Sequence, residues 1–356
     1  MLKAIVAMSG GVDSSVSAAL AIEQGLKCTG ITLKLFRGES RCTSLADIND
    51  AKTAACALGI EHHTLDYSEE FEKQVISRFI QTYEQGSTPN PCVDCNRMIK
   101  FNLHLLQKQL LAQAAVSDFD FFVTGHYARV LHDSASGRFL LHKALDCKKD
   151  QSYVLYSLSQ QQLEKARFPL GGLQKQEVRK IAEGKNLANA AKSESQDICF
   201  VPQGDYGDFI EAYSGKTYPP GDIIDLDGKT IGRHRGIIRY TIGQRRGLGV
   251  AANVPVYVTA KSAANNSVTL GPDAALFSKS LTAKDINLIA CADLKKPVRV
   301  MVKTRYLQEA EPAIAEQTGE DSLHIEFDLP QRAITPGQAA VMYDGDIVVG
   351  GGTIAA

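Results

Sequence analysis

Ala4-Ile5-Val6-Ala7-Met8-Ser9-Gly10-Gly11-Val12-Asp13-Ser14-Ser15-Val16 decides how the first half of this 356-residue chain folds. Residues 4–8 are a short apolar run, the pattern of a strand buried on both faces. The run stops at the turn Ser9-Gly10-Gly11, and a helical pattern follows from Asp13 through Ala21. A strand, a glycine turn and a helix start make an anion site. Two glycines let the backbone approach a ligand closely and take positive φ angles. The first N–H groups of the helix have no partner inside it and point at whatever fills the turn. Ser9, Ser14 and Ser15 add hydroxyl donors. No Gly-Lys-Ser/Thr follows, so the loop lacks the lysine that a Walker A loop carries to a phosphate.

Outward from this stretch, residues 1–130 alternate strand and helix. Strands are predicted at 28–35, 62–65 and 119–124, and helices at 44–58, 69–83 and 100–115. That alternation implies a parallel sheet with helices on both faces, whose ligands sit at the C-terminal strand ends. The glycine loop, residues 33–36 and Gly125-His126 all fall at such ends, so they can converge. Residues 130–144 read as a hairpin, followed by helical segments at 153–165, 174–186 and 205–213. From Thr217 glycines and prolines recur every few residues and apolar residues alternate, as in an all-β region. The expected domains are 1–202, an α/β catalytic domain; 203–272, a small and mostly β central domain; and 273–356, a C-terminal β-barrel.

Composition narrows the class. An apolar content of 44% and a charged content of 22% are ordinary for a soluble globular protein. The N-terminus enters a strand without a signal or transit pattern, and no apolar run approaches membrane-spanning length. A cytoplasmic protein with no membrane partner is the expectation. Eight cysteines scattered over a long chain argue against a secreted disulfide scaffold. Lys+Arg 39 against Asp+Glu 40 gives no overall sign of nucleic acid, but the distribution does. Residues 229–246 and 295–305 carry basic residues and no acidic ones. A solvated face usually mixes signs, so these windows read as phosphate-contacting patches.

Two cysteines lie in Thr88-Pro89-Asn90-Pro91-Cys92-Val93-Asp94-Cys95-Asn96, read as a proline-stiffened loop before a helix. Cys95 near that helix's N-terminus is placed where the dipole favours thiolate. A structural zinc site usually needs a second close pair, and Cys28, Cys42, Cys56, Cys147, Cys199 and Cys291 form none. No metal site is assigned from these spacings.

The loop Ser9–Ser14 resembles the Ser-Gly-Gly-x-Asp-Ser signature of the PP-loop ATP pyrophosphatases, which cleave ATP between the α and β phosphates. The resemblance then widens. Thr88-Pro89-Asn90-Pro91, Cys95-Asn96, Ile99-Lys100-Phe101, Gly125-His126-Tyr127 and Lys149-Asp150-Gln151-Ser152-Tyr153 resemble the bacterial tRNA-specific 2-thiouridylases. So do Ser195-Gln196-Asp197-Ile198-Cys199-Phe200, the stretch Tyr240 to Gly249, Lys303-Thr304-Arg305-Tyr306 and Pro336-Gly337-Gln338. The likeness covers essentially the whole chain.

It implies a PP-loop (adenine nucleotide alpha hydrolase-like) fold and a tRNA-uridine 2-sulfurtransferase that uses ATP and Mg²⁺. Its substrate would be the wobble uridine of tRNAs for Lys, Glu and Gln, with sulfur delivered by a sulfur-relay protein. Cys199 would carry a persulfide, Cys95 would act as nucleophile, and a Cys95–Cys199 disulfide would close the cycle. Ala7, Met8, Ser9, Gly10, Gly11, Val12, Asp13, Ser14, Leu33 and Gly125 match ATP-contacting positions. Asn90, Pro91, Cys92, His126, Lys149, Asp150 and Gln151 match tRNA-contacting positions, as do Arg305, Tyr306 and Gln338. By the same comparison the 229–246 window belongs to the scaffold of the central domain.

Two positions depart from the family. Cys92 stands where many members have Asp, which removes an acid/base group; the nearest carboxylate, Asp94, is expected to point elsewhere. Leu307 replaces a frequent arginine. With Cys92 present, Cys92, Cys95 and Cys199 could instead hold an iron–sulfur cluster, a reading ranked below persulfide transfer. Two other functions remain open: a PP-loop amide-forming synthetase, and a non-catalytic tRNA-binding protein with a relic ATP site.

Overall fold

The computed structural model describes residues 1–37, 44–113, 118–187, 189, 192, 198–201, 205–251 and 253–355. The chain begins with β1 (Lys3–Ala7), helix α1 (Val12–Glu23), β2 (Lys27–Lys34), helix α2 (Leu45–Ala57), β3 (His62–Asp66) and β4 (Phe121–Val123). A hairpin follows, β5 (Arg129–Asp133) and β6 (Arg138–His142), and β7 (Ala166–Arg167) then returns to the first sheet. That sheet has the order β3-β2-β1-β4-β7, all parallel. The order reverses between β1 and β4, which makes the C-terminal ends of these two strands the topological switch point. Period-2 alternation buries both faces: Ala4, Val6 and Met8 pack with alanines of α1 and α2, and Ile5 packs on the other side with Phe71 and Phe79. A reciprocal Ser44–Asp47 capping box starts α2.

The predicted strands and helices of this half are present with ends shifted by a residue or a few, except that the 153–165 segment is two short helices, Ser152–Leu155 and Gln160–Lys165; positions 114–115 of the 100–115 helix lie outside the described residues. One segment differs in kind. The expected loop around the cysteines is helical, Pro91–Asp94 continuing into a widened turn at Cys95–Lys100. Asn90 caps it and Pro91 occupies the first helical position, so the residues read as loop stiffeners are start signals. The next helix, Leu103–Ala112, has its own cap at Asn102. Cys95 therefore lies past the first turn of its helix, where the dipole has weakened.

The central domain is the sheet β10-β11-β8-β9, built from β8 (Gly221–Ile224), β9 (Thr230–His234), β10 (Tyr257–Ser262) and β11 (Ser267–Gly271). The remaining strands are β12 (Phe277–Leu288), β13 (Val298–Lys303), β14 (Glu311–Gly319), β15 (Ser322–Arg332), β16 (Ala339–Asp344) and β17 (Ile347–Ile354). They run β12-β15-β14-β13-β16-β17, and β12 pairs with β17 to close a six-stranded barrel. The barrel has its own interior, with Val302, Ile325, Phe327 and Met342. Its outer face joins the main core through Val341, Tyr343 and Val348. The β5–β6 hairpin docks on it, with His142 opposite Ile347. Hydrophobic periodicity did not show that contact, because it joins residues some 200 apart. Among the described residues no helix is long and apolar enough to cross a membrane.

Inside the first sheet, the Thr32 hydroxyl donates to the Met8 carbonyl at 2.7 Å and stands 2.8 Å from His62 Nε2. The hydroxyl proton is committed to Met8, so His62 Nε2–H is the donor to Thr32. A second proton would have to go on the buried Nδ1, which has no hydrogen-bond partner. Burial, aided by Lys52 and His63, pushes the His62 pKa down to about 4. The folded value lies below the unfolded one, so this stabilisation is complete above about pH 6.5 and is lost as pH falls toward 4. His62→Gln should lose less stability than the wild type between pH 7 and pH 4.5 in urea titrations; equal losses would remove His62 from the acid response.

Candidate active site

The turn after β1 is built by close backbone approach. Gly10 has φ +75, and a Cβ there would lie 2.3 Å from the Asp47 carbonyl oxygen of α2. Gly11 precedes α1 in extended conformation. The Ser14 and Ser15 hydroxyls donate back to Gly11 O at 3.0 and 3.1 Å, and Ser9 N donates to Ser14 Oγ at 3.1 Å. From beyond β4, Gly125 presses on the same helix start: a Cβ on it would lie 2.8 Å from Ser14 N. Asn189 donates to Gly10 O at 3.1 Å and to Ser15 Oγ at 2.9 Å. Lys192 joins Asp47 and Asp50, each at 2.6 Å. Burial pushes the Asp47 carboxyl up, and hydrogen bonds from Lys192 and Ser44 overcome it, leaving it below the usual range.

A cavity of about 250 Å³ opens at this switch point. Ala7, Met8, Ser9, Asp13, Ser14, Leu33 and Gly125 line it. Gly10, Gly11 and Val12 shape the turn behind it. His126 and Gln151, read as RNA contacts, also line it. The His126 ring lies between Phe101 and Phe168, with Nδ1 2.7 Å from the Thr124 hydroxyl. Burial, then the nearby Lys100 charge, holds its pKa well below the usual histidine range, so the ring is neutral at pH 7.

The cysteine helix borders this cavity, since its last residue, Lys100, is part of the wall. Cys92 is exposed and Cys95 is buried. Cys95 and Cys199 pack against one hydrophobic cluster. Ser195, Gln196 and Asp197, read with Cys199 as one motif, lie outside the described residues. Among the described residues no three His, Cys, Asp or Glu side chains are grouped so as to hold a metal ion. Asp94 faces away, 3.5 Å from Arg78, and burial raises its carboxyl above the usual range.

The barrel grips the segment before the cysteines. Thr88 N donates to Pro336 O at 2.8 Å. Gln338 Nε2 donates to the Thr88 and Pro89 carbonyls at 3.0 and 2.9 Å. Gly337 has φ +90, and a Cβ on it would be 2.7 Å from Thr88 O. Gln338 thus positions residues 88–90. Asp150 is buried and accepts from Ala144 N, Ser152 N and Ser152 Oγ, so its carboxylate shapes the loop that carries half-buried Lys149. Arg305 donates to Ala333 O, and Tyr306 lies 6.0 Å from the Tyr153 ring.

The single-sign basic windows hold up less well as phosphate patches. Arg239 pairs with Asp205, Asp208 and Glu211, and Arg299 with Asp328. The acids come from other elements, so a linear window could not show them. Two lysines that no site assignment from the sequence includes stand at the cavity. Lys100 is a cavity wall, and Lys175 Nζ reaches both carboxylate oxygens of Asp13 at 2.7 and 2.8 Å. Lys175 opens a helix, Lys175–Gly184, whose sequence reads as an ordinary amphipathic element.

Gly125→Ala tests the geometry. The methyl cannot be accommodated without moving β4 off the start of α1, so anion or nucleotide affinity should fall at least tenfold while the fold is kept. Calorimetric titration with ATP, beside a thermal melt, measures both; unchanged affinity would place the anion site elsewhere.

Residues 2–203 match the family described as tRNA methyl transferase HUP domain, 207–272 its PRC-barrel domain, and 278–354 the aminomethyltransferase beta-barrel domain. A tRNA-specific 2-thiouridylase MnmA of Heliobacterium modesticaldum is 48% identical over 98% of this chain and 91% of its own. Those of Acetivibrio thermocellus and Clostridioides difficile are each 44% identical, over 99% of this chain and 99% and 98% of theirs. A solved 4-thiouridine synthetase–RNA complex with bound ATP aligns over 55% of this chain and 44% of its own, at 17% identity and a TM-score of 0.35. By its near full-length identity to these relatives, the chain belongs to the tRNA-specific 2-thiouridylase family.

Proposed function

We propose that this enzyme thiolates tRNA by activating a uridine with ATP and transferring sulfur from a cysteine persulfide. The observation that carries the reading is the meeting of the Ser9–Ser14 turn, Gly125 and the cysteine helix around one cavity at the switch point. The names of the relatives support tRNA as substrate. The three units are 1–202, 203–272 and 273–356: catalytic, adaptor and tRNA-binding barrel.

The backbone N–H groups at the start of α1 and the Ser9 hydroxyl hold the β and γ phosphates of ATP, and Ser14 lines the same cavity. Leu33 meets the base through its backbone. Asp13 lines the cavity with both oxygens held by Lys175, and Mg²⁺ brought in with ATP would offset the charge of the departing pyrophosphate. The wobble uridine of tRNAs for Lys, Glu and Gln leaves its stack to reach the cavity. Its O2 attacks the α phosphorus; the bond to pyrophosphate breaks and the N3 proton is released. Cys199, charged by a sulfur-relay protein, presents its terminal sulfur to C2, and AMP departs with O2. Cys95 thiolate then attacks Cys199 Sγ, which frees 2-thiouridine, forms the Cys95–Cys199 disulfide and requires thiol exchange for the next cycle. His126, Lys149 and Gln151 near the cavity, and Arg305 and Tyr306 on the barrel, support the RNA. Asn90 and Pro91 begin the helix that presents the exposed Cys92 beside the target base.

Incubation with ATP, substrate tRNA and a persulfide donor tests the reading. Thiolated tRNA with one pyrophosphate per sulfur is expected. Pyrophosphate release driven by an amino acid would point to an amide-forming synthetase, and tRNA binding without turnover to a relic site. Cys95→Ser and Cys199→Ser should each abolish thiolation, and Cys92→Ser should retain substantial activity. An iron–sulfur cluster found after anaerobic purification, required for turnover and lost in Cys92→Ser, would overturn the persulfide route.

A further inference from the structure

The phosphate turn carries no lysine of its own, yet a lysine stands at its first helical turn. Lys175 Nζ is 2.7 and 2.8 Å from the two oxygens of Asp13, across 162 residues of sequence. The Tyr127 hydroxyl donates to the same Oδ1 at 2.8 Å, and its ring lies 5.8 Å from the ammonium. The Lys175 side chain is 11% exposed and that of Asp13 is 27% exposed. Lys175 N is itself anchored, donating to Asp146 Oδ2 at 3.0 Å.

Two features ask for more than a structural role. A largely buried ion pair is weak as a source of stability, because desolvation offsets most of the attraction. The carboxylate also lines the cavity where an anion is expected, and an unpaired carboxylate there would repel a polyphosphate. Lys175 cancels that repulsion and, with Tyr127, fixes the direction of the carboxylate.

We propose that Lys175 is a positioning residue of the phosphate site, acting through Asp13 to let a magnesium-bound pyrophosphate group settle against the start of α1. The proposal rests on the ATP reading above and adds a residue to it. The lysine that a Walker A loop carries within itself is here supplied from a distant helix, one side chain removed from the phosphate.

The test is the affinity of the full chain for inorganic pyrophosphate with Mg²⁺, by calorimetry at fixed ionic strength. Lys175→Met should weaken binding at least tenfold, and Lys175→Arg should stay within threefold of wild type. Lys175→Gln, which keeps a donor to Asp13 without the charge, should also weaken it at least tenfold, and it decides the matter if the Met variant melts early. If Lys175 acts through Asp13, the double variant Asp13→Asn/Lys175→Gln should bind no more weakly than Asp13→Asn alone. A purely structural pair would lower the melting temperature and leave affinity within twofold of wild type, which overturns the proposal. Failure of the wild type to bind pyrophosphate would instead defeat the phosphate-site reading beneath it.

Discussion

The start of α1 is wedged between two backbones. Gly10 meets the Asp47 carbonyl on one side and Gly125 meets Ser14 N on the other, each at a distance that excludes a Cβ. The wedge sets the start of the helix at the edge of the switch-point cavity, which Asp13 and Ser14 line. An anion near such a helix start gains about 0.3–1 kcal/mol when exposed and up to ~2 kcal/mol when partly buried. That gain depends on direction, so the close approach sets the strength of the site. Asn189 and Lys192 reinforce the turn from behind, and Lys175 and Tyr127 hold the Asp13 carboxylate that lines the cavity.

The barrel holds the start of the cysteine helix. Pro336, Gly337 and Gln338 grip the backbone at residues 88–89, just before Asn90 starts the cysteine helix. Arg97 adds an ion pair to Asp285 of β12 at 2.8 Å. The helix between these two ties ends in Lys100, at the wall of the cavity. A domain with its own interior thus sets where Cys92 and Cys95 stand relative to the phosphate turn. The widened turn at Cys95–Lys100 belongs to the same design, since π-type turns recur at functional sites.

The parts of this arrangement that were legible are those with a local cause. Apolar runs and the Ser9-Gly10-Gly11 turn marked β1 and α1, because sheet burial and positive φ restrict the residues allowed there. Convergence of Leu33 and Gly125 followed from the parallel order. Prolines signal both loops and helix starts, and at the cysteine helix Asn90 before Pro91 is the cap that distinguishes them. Lys175, Gln338 and the acids paired with Arg239 and Arg299 were out of reach, since each acts across strands or domains. The Asp150 carboxylate is held by Ala144 and Ser152, which give no sign in the sequence of being folded around it.

The central claim is that ATP activates the oxygen that sulfur replaces. Substrate tRNA labelled with ¹⁸O at O2 of the wobble uridine measures this directly. The account predicts one ¹⁸O in each AMP formed and none in pyrophosphate or water, read by mass spectrometry after a single turnover. Unlabelled AMP formed alongside thiolated tRNA would show that the oxygen leaves by another route and would contradict it.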